Sequence, residues 1–341
     1  MIAMNNAAQP FVSIVTPVFN GEEYISQCID SVLTQSHQNW DYIIIDNCST
    51  DRTLSIAQQY AARDPRIRVH RNETFLSLLA NHNAALQLIS PQSKYCKMIF
   101  ADDWLYPECI AEMVAVVESH SSVGIVGAYG LDGAEVLWSG LPYPSTVVSG
   151  REICRKTLLG GPYVFGTPSS LLMRSDLVRA RNPFFNEENF HADNDACYAL
   201  LQHVDFGFVH KILTYSRSRP GSNTSLANSL DSYVLGSLSE IVIHGPAFLT
   251  REECDLRREQ WMKQYYRTLA KSFLRLRDME FWAFHRERLA RLGLKLSRPR
   301  LFRAVGRELL ESLLRPADVL DGVLRWWPKA FSRPRSKPTL I

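Results

Sequence analysis

The sequence contains neither a long apolar run nor a recognisable export signal. No stretch of its 341 residues reaches the roughly 18 consecutive apolar residues that a membrane-spanning helix needs. The amino terminus has no basic segment followed by an apolar one, and it leads directly into a strand-like segment at Phe11–Thr16. We therefore expect neither export nor a transmembrane anchor.

Paired cysteines are also missing. The seven cysteines are odd in number and widely spaced, and no two of them form a C-x-x-C pair. This pattern differs from that of a disulfide framework or a zinc site. We expect free thiols in a reducing compartment, and hence a cytoplasmic protein.

Signals of nucleic-acid binding are absent as well, because the chain has no helix-turn-helix, RNP-like string or cysteine-histidine array. The net charge of +3 is unevenly distributed. From Arg251 onward there are 22 Lys and Arg against 11 Asp and Glu, which leaves 16 against 24 before it. An acidic first part and a basic last part predict different partners, and we expect no nucleic acid among them.

Strand-like segments alternate with helical patterns in the first part of the chain. The strands are predicted at Phe11–Thr16, Tyr42–Ile45, Ile67–His70, Tyr95–Phe100 and Gly124–Tyr129, and the helices at Glu22–Leu33, Asp51–Ala62, Leu76–Ile89 and Pro107–Ser119. This alternation predicts βαβ units and a mostly parallel sheet. The Gly- and Pro-punctuated stretch from Gly130 to Gly166 predicts loops and a short hairpin.

Two polar turns follow strongly apolar runs. Asp46–Asp51 comes after the second predicted strand, and Ala101–Asp103 comes after the fourth. Because the carboxyl ends of parallel strands meet at one edge of a sheet, where open α/β folds bind ligands, the two turns predict a nucleotide site.

Six short strings occur in an order and spacing that resemble the family 2 glycosyltransferases. They are Val12–Asn20, Ser31–Gln35, Ile45–Asp51, Ala101–Asp103, Gly166–Ser170 and His191–Asp195. The resemblance covers about residues 10 to 225 and implies a GT-A fold, which is a Rossmann-like α/β fold with a mostly parallel central sheet flanked by helices. We expect a GT-A domain at residues 1–230 and a basic, aromatic-rich helical extension at residues 231–341.

The implied activity is inverting transfer of a sugar from a nucleotide-diphospho-sugar to a hydroxyl group. A diphosphate leaving group needs a hard divalent cation, here Mn or Mg, held by few protein carboxylates. By resemblance to the DXD motif, Asp103 is the metal ligand, and Asp102 contacts the ribose or shares the metal. The family often has an acidic residue two positions before its last Asp, where this chain has Ala101, with Phe100 before it. Capping of the helix near Pro107 is the alternative role for both carboxylates.

The resemblance places the nucleobase at the ends of the first two strands. Phe19 would stack on the base, Asp46 and Asn47 would bond to its edge, and Pro17 and Glu22 would line the same wall. A core position for Phe19 and a turn-forming role for Asn47 are the alternatives. Asn47 stands where many uridine-diphosphate users carry a second Asp, so UDP-sugars are favoured while dTDP-sugars stay open.

Three further positions follow from the resemblance. Asn83 matches a position near the donor, although the family's preceding Arg is His82 here, and a solvent-facing helix position is the alternative. Asp193 matches the general base of the family, and Asp195 is the competing candidate. The alternative for both is a structural role, because carboxylates at a helix start interact favourably with the helix dipole. Arg219 replaces a family His and suits a diphosphate, unless it is a solvated loop residue.

The last third combines aromatic with basic side chains, as in Trp261–Tyr266, Phe281–Arg286, Leu301–Arg303 and Arg325–Lys329. Such helices favour an anionic membrane surface, and packing on the catalytic domain or a second subunit is the alternative. A membrane-surface tail fits a glycan or polyprenyl-linked acceptor at the inner face of the cytoplasmic membrane, in cell-surface polysaccharide biosynthesis.

Two other classes compete with the transferase. The first is a non-catalytic scaffold or binding protein on a similar fold. The second is a sugar nucleotidyltransferase, which normally has a Gly-rich phosphate loop with a nearby Arg and Lys after its first strand; the segment Pro17–Glu23 has neither.

Overall fold

The computed structural model describes residues 9–138, 141–219 and 222–314. The aromatic-basic segment predicted at Arg325–Lys329 lies outside these residues. The chain divides between Ser218 and Arg219 into two compact units. The assignment of residues 1–230 and 231–341 to a catalytic domain and an extension stays a prediction.

The first unit is built on a ten-stranded sheet. Its strands are β1 Val12–Val18, β2 Trp40–Asp46, β3 Ile67–Arg71, β4 Tyr95–Met98, β5 Trp104–Leu105, β6 Val123–Asp132, β7 Glu135–Leu137, β8 Val147–Val148, β9 Leu172–Arg174 and β10 Asp205–Tyr215. They lie in the order β3-β2-β1-β4-β9-β6-β10-β5, with β7 on β6 and β8 on β10. The β1–β2, β2–β3, β1–β4 and β6–β10 pairs are parallel, whereas β9 runs antiparallel to β4 and β6.

Seven helices accompany this sheet. They are α1 Ile25–Leu33, α2 Thr53–Ala61, α3 Leu78–Gln87, α4 Cys109–Ser119, α5 Gly150–Leu158, α6 Ser175–Arg179 and α7 Ala192–Leu200. The four helices predicted between strands are all present and begin two or three residues later than predicted. The alternation therefore produces the expected mostly parallel α/β sheet.

Helix α5 was not predicted, because Gly150 and the glycines and prolines around it read as loop. A Cβ on Gly150 would lie 2.0 Å from the Val204 carbonyl oxygen and 2.4 Å from that of Leu201. The glycine is thus required by close packing rather than by a turn, which one sequence does not reveal.

Strand β1 forms the centre of the candidate ligand-binding edge, and all seven of its residues are buried. A proline is unusual in a central strand because it cannot donate a hydrogen bond. Pairing of β1 with β4 ends at Val15 opposite Met98, so Pro17 pairs only with Ile45 of β2. Pro17 is therefore tolerated near the end of β1, where the strand has one neighbour.

The second unit is helical and has its own apolar core. Its helices are α8 Asn223–Ser229, α9 Ser232–Ile243, α10 Gly245–Phe248, α11 Arg251–Leu274, α12 Met279–Arg291 and α13 Arg298–Leu314. Tyr265 and Leu269 of α11 are buried with Phe281 and Leu289 of α12. The predicted C-terminal helical extension is confirmed.

None of the helices in the described ranges is long and apolar enough to cross a bilayer. Helix α11 has 24 residues, but charged side chains occur along its whole length. The seven cysteines are free, and five of them are buried.

Candidate functional site

The carboxyl ends of β1, β2 and β4 meet at one edge of the sheet, because β1 lies between two parallel neighbours. Hydrogen bonds join the loop after β1 to the loop after β2. The Gly21 N–H donates to Thr53 Oγ1 at 2.8 Å, and the Asn20 N–H donates to Ser49 Oγ at 3.0 Å. A Cβ on Gly21 would lie 3.6 Å from the Ala101 Cβ, so this loop also contacts the turn after β4. The structure thus brings the two predicted polar turns together.

Asp46, at the end of β2, is a fully buried carboxylate. Its Oδ2 accepts a hydrogen bond from the Ser49 N–H at 3.2 Å and lies 3.7 Å from Nε of Arg71. Its Oδ1 is buried and has no hydrogen-bond partner in the part of the chain that the structure describes. A buried acceptor without a donor is costly, so Asp46 suits a ligand N–H. Arg71, which ends the neighbouring strand β3, was missed in the sequence.

Asn47 holds a neighbouring segment in place. Its Oδ1 accepts hydrogen bonds from Asn72 Nδ2 and from the Leu76 N–H, both at 2.9 Å, and its Nδ2 donates to the Leu76 carbonyl at 2.9 Å. Next to Leu76, the ring of Phe75 makes an edge contact with Phe19 at 4.9 Å between centroids. Phe75 is 44% exposed and Phe19 is half-buried, so an aromatic pair lies at this edge. Nothing in the sequence had singled out Phe75.

Glu22 and Asn83 are both engaged with neighbouring segments. Glu22 is exposed, and its Oε2 accepts hydrogen bonds from the backbone N–H of Arg52 at 3.0 Å and from its Nε at 3.1 Å. Asn83 is buried, so the solvent-facing alternative is wrong. Its Nδ2 donates to the Phe185 carbonyl at 2.9 Å and to Glu187 Oε1 at 3.0 Å, and its Oδ1 accepts from the Phe185 N–H at 2.7 Å. Contact of either side chain with a donor stays a prediction.

The acidic turn Asp102–Asp103 is contacted by the two residues that follow β10, Ser216 and Arg217. Asp103 is buried, its Oδ1 accepts from the Arg217 N–H at 3.0 Å, and its Oδ2 accepts from Ser216 Oγ at 3.2 Å. Arg217 Nε donates to the Asp102 carbonyl at 3.2 Å. Helix α4 begins at Cys109, and its N-cap residue forms no side-chain cap bond. The N-cap position is Glu108, and both oxygens of Asp103 bond elsewhere, so Asp103 does not cap that helix.

The electrostatics of this turn fit a cation. Burial and the adjacent Asp102 carboxylate raise the pKa of Asp103 to about 7, against the lowering effect of hydrogen bonds from Ser169, Arg217 and Ser216. A divalent ion would offset both causes of the raised pKa. Across the described ranges, no three His, Cys, Asp or Glu side chains cluster as a metal site. A cation here would therefore have few protein ligands, which is usual where a diphosphate supplies others.

The two candidate bases both lie in the first turn of α7, but they have different environments. Asp195 is buried, and its Oδ2 lies 2.6 Å from Nη2 of Arg181. Asp193 is half-buried, and its Oδ1 accepts from the Asn194 N–H at 2.9 Å. Burial raises the pKa of Asp193, and His191 opposes that shift. Asp195 has a structural ion pair, so Asp193 is the better candidate for proton transfer.

The segment Gly166–Ser170 packs against the acidic turn. Ser169 is buried, and its Oγ accepts from the Phe100 N–H at 3.0 Å. Its carbonyl accepts from Nζ of Lys97, a fully buried lysine, at 2.5 Å and from Thr214 Oγ1 at 3.2 Å. Ser169 and Lys97 were missed, although a lysine inside the apolar run before Phe100 was a visible signal. Arg219 lies in the second unit, and its contact with a diphosphate stays a prediction.

Comparisons with known proteins identify the family of the chain. The model of "Glycosyl transferase family 2" matches residues 13–180. The chain is 34% identical over 222 residues to "Putative glycosyltransferase EpsE" of Bacillus subtilis, covering 61% of this chain and 78% of that protein.

Solved structures that share the fold include a TarS fragment and a mannosyltransferase. TarS residues 1–349 from S. aureus, in complex with UDP-GlcNAc, superpose with a TM-score of 0.63 at 19% identity, covering 90% of this chain and 92% of TarS 1–349. The mannosyltransferase PcManGT from Pyrobaculum calidifontis, in complex with GDP-Man and Mn²⁺, gives a TM-score of 0.54 at 12% identity, covering 90% and 87%.

Proposed function

The chain belongs to glycosyl transferase family 2 and has the GT-A fold, and from this premise we propose that it is an inverting, metal-dependent sugar transferase. The donor is a nucleotide-diphospho-sugar, with a UDP-sugar favoured over a dTDP-sugar. The acceptor is a hydroxyl group of a glycan or of a lipid-linked glycan, in cell-surface polysaccharide biosynthesis.

One observation carries the proposal: four neighbouring parallel strands, β3, β2, β1 and β4, are followed at the same edge by an aromatic pair, a carboxylate with one oxygen lacking a partner among the described residues, and an acidic turn. Phe19 and Phe75 offer apolar surface to a base, and Asp46 Oδ1 offers an acceptor to a base N–H. Asp102 and Asp103 follow the next strand along. Along the sheet edge, the apolar and acceptor groups come first and the acidic turn comes next. A nucleotide diphosphate has the same arrangement, with the base at one end and the charged diphosphate at the other.

The residues of the acidic turn are of the type that binds a divalent metal ion. Asp103 and Asp102 would hold Mn or Mg through hard carboxylate oxygens, and the cation, when bound, would neutralise charge on the departing diphosphate. Support comes from the raised pKa of Asp103 and from Mn²⁺ in the PcManGT complex. Arg217 keeps the turn in place through its N–H and Nε bonds.

Asp193 is the proposed general base. Its carboxylate takes the proton of the acceptor hydroxyl while that oxygen attacks the anomeric carbon from the side opposite the diphosphate. The new carbon–oxygen bond forms as the bond to the diphosphate oxygen breaks, so the configuration inverts. Support comes from the position of Asp193 in the first turn of α7 and from the engagement of Asp195 with Arg181.

The direct test is binding and turnover of a panel of nucleotide sugars, with and without Mn²⁺ or Mg²⁺. We expect one donor to bind only with metal and to be hydrolysed slowly without acceptor. Asp103→Ala should abolish metal-dependent binding, whereas Asp193→Asn should keep donor binding and lower turnover by about 10²- to 10⁴-fold.

Asp176→Asn is the control, because this carboxylate is exposed on the short helix α6 and pairs with the half-buried Arg174. The control should behave like the unmodified chain in both assays. Failure of every donor to bind under any metal condition would refute the transferase and favour the scaffold alternative.

The second unit supports a membrane-surface acceptor. Helix α13 exposes Phe302, Leu309, Leu310, Leu313 and Leu314, the last two at 78% and 73%. The same helix carries Arg298, Arg300, Arg303 and Arg307. Exposed apolar side chains beside arginines are the composition of helices that lie on anionic membranes. We propose that α13 contacts the inner face of the cytoplasmic membrane, where polyprenyl-linked acceptors are found.

Co-sedimentation of the intact chain with vesicles tests this contact. We expect binding to vesicles with anionic lipid and little binding to purely zwitterionic vesicles. Replacing Leu310 and Leu313 with Glu should remove the binding, while Leu256→Glu, an exposed leucine on α11, should not. Equal binding by both variants would refute a role for α13.

A further inference from the structure

An aromatic cluster lies beside the acidic turn. The ring of Phe100 stacks on His82 with 5.1 Å between centroids and 26° between planes, and His82 makes an edge contact with Phe185 at 6.0 Å. His82 and Phe185 are buried, whereas Phe100 is half-buried. Burial lowers the pKa of His82 to about 4, so the imidazole is neutral near pH 7. The three rings therefore form an uncharged wall.

Backbone contacts fix both ends of this wall. Phe100 precedes Asp102 by two residues, its N–H donates to Ser169 Oγ at 3.0 Å, and its carbonyl accepts from the Asp103 N–H at 3.0 Å. At the other end, Asn83 bonds to both the N–H and the carbonyl of Phe185. The segment that includes Phe185 continues into α7, whose first turn carries Asp193.

The position of the wall relative to the chemistry follows from the proposed function, on which this inference rests. The anomeric carbon must lie between the diphosphate and the base that activates the acceptor. The acidic turn is the proposed diphosphate side, and Asp193 is the proposed base. Phe100 adjoins the acidic turn, and His82 links its ring to Phe185 in the segment that leads into α7. Of the three rings, the half-buried Phe100 is therefore the one available to a donor sugar on this side of the turn.

We infer that Phe100, backed by His82, is a specificity-determining residue that contacts the donor sugar through an apolar face. An aromatic ring offers no hydrogen bond to a hydroxyl group but packs well on C–H and methyl groups. The sugar class that fits carries a methyl group, as an N-acetylamino sugar or a 6-deoxy sugar does. An unsubstituted hexose gains less from this wall.

Titration calorimetry of the intact chain with Mn²⁺ tests the inference. The ligands are UDP, dTDP, UDP-glucose, UDP-N-acetylglucosamine and a dTDP-6-deoxyhexose. We expect one of the two methyl-bearing donors to bind more tightly than UDP-glucose. Comparison of these two donors shows whether the N-acetyl methyl group or the 6-deoxy methyl group is recognised. Phe100→Leu should weaken the preferred donor about tenfold and change the affinity for the free nucleoside diphosphate less than twofold.

Two further variants keep the result interpretable. Phe100→Tyr retains the ring and should keep the preferred donor within about threefold of the unmodified chain. Phe75→Leu, at the predicted base side, should weaken donor and free nucleoside diphosphate equally.

The inference is overturned if Phe100→Leu weakens both ligands equally, if it changes neither, or if UDP-glucose binds as tightly as both methyl-bearing donors. If neither UDP nor dTDP binds the unmodified chain with metal, the proposed function itself fails as well.

Discussion

At the scale of single residues, four aspartates of the site have different environments. Asp46 is buried with one oxygen lacking a partner in the described ranges, and Asp103 accepts hydrogen bonds from Ser216 and Arg217, just after β10. Asp195 pairs with Arg181, and Asp193 is half-buried. Environment rather than residue type assigns roles to carboxylates in an active site. Asp195 is the case in which the structure supplies a role that the sequence left open.

Asp195→Asn should destabilise the protein rather than act on the chemistry. The substitution removes the charge that pairs with Arg181 at 2.6 Å and leaves a largely buried guanidinium without its carboxylate. We expect a loss of about 3 kcal/mol in the free energy of unfolding, measured by urea titration. Asp176→Asn breaks the more exposed pair with Arg174 and should cost less than about 1 kcal/mol. Equal losses in the two variants would contradict a buried structural pair.

Asn47→Ala should act on the base site through the segment before α3. It removes three hydrogen bonds, two of them to the backbone of Leu76. We expect a loss of about 2 kcal/mol in unfolding free energy and weaker binding of the free nucleoside diphosphate, because Phe75 loses its anchor. Calorimetry and urea unfolding measure the two effects. Unchanged stability with weaker binding would instead support direct contact between Asn47 and the base.

At the scale of elements, the first residues of two helices show how local sequence determines where a helix begins. Thr250 and Glu253 form a capping box at the start of α11: Thr250 Oγ1 accepts from the Glu253 N–H, and Glu253 Oε2 accepts from the Thr250 N–H. The pattern Thr-x-x-Glu followed by a helical run is readable in the sequence. By contrast, the N-cap residue of α2 is Arg52, whose guanidinium has no hydrogen-bond acceptor. The preceding residue accepts instead: Asp51 Oδ1 accepts from the Thr53 N–H at 2.9 Å, while its Oδ2 accepts from the Glu22 N–H in the neighbouring loop at 3.0 Å.

Thr250→Ala should destabilise the chain by about 1 kcal/mol, since it leaves the first N–H groups of α11 without their acceptor. The same substitution inside the helix, Thr268→Ala, should be neutral or slightly stabilising because alanine has the higher helix propensity. Urea unfolding of both variants provides the comparison. A cost at position 268 equal to that at position 250 would argue against the cap as the cause.

At the scale of the whole molecule, two buried histidines link stability to pH. Burial lowers the pKa values of His82 in the first unit and of His285 in the second to about 4, from an ordinary value of 6.5. His285 Nδ1 bonds to Tyr265 Oη at 2.9 Å, and its Nε2 bonds to the Leu230 carbonyl at 3.0 Å. A neutral imidazole can satisfy both partners.

Stability should therefore fall on acidification. Because the folded-state pKa lies below the unfolded value, the contribution of His285 is complete above pH 6.5 and is lost as the pH falls towards 4. The loss amounts to about 3 kcal/mol for this residue. His285→Gln keeps a donor and an acceptor but does not titrate, so its unfolding free energy should fall less between pH 7 and pH 4. Parallel curves for the two proteins would refute the linkage.

The sequence by itself determined the alternation of strands and helices, the helical extension and the acidic turn at a strand end. These follow from local information: apolar periodicity, Gly and Pro positions, and polar residues after buried runs. It also predicted that the polar turns after β2 and β4 lie at one edge, because parallel strands bring their carboxyl ends together.

Only the tertiary structure decided which side chains at that edge face one another. Phe75, Arg71, Ser169 and Lys97 come from segments distant in sequence from the residues they contact, and Asn47, Asn83 and Asp195 are engaged by partners up to about a hundred positions away. Such contacts depend on loop conformation and on packing between elements. Neither produces a periodic pattern or a fixed spacing that could be recognised in a single sequence. The environment of each carboxylate is therefore a property of the fold and not of its motif.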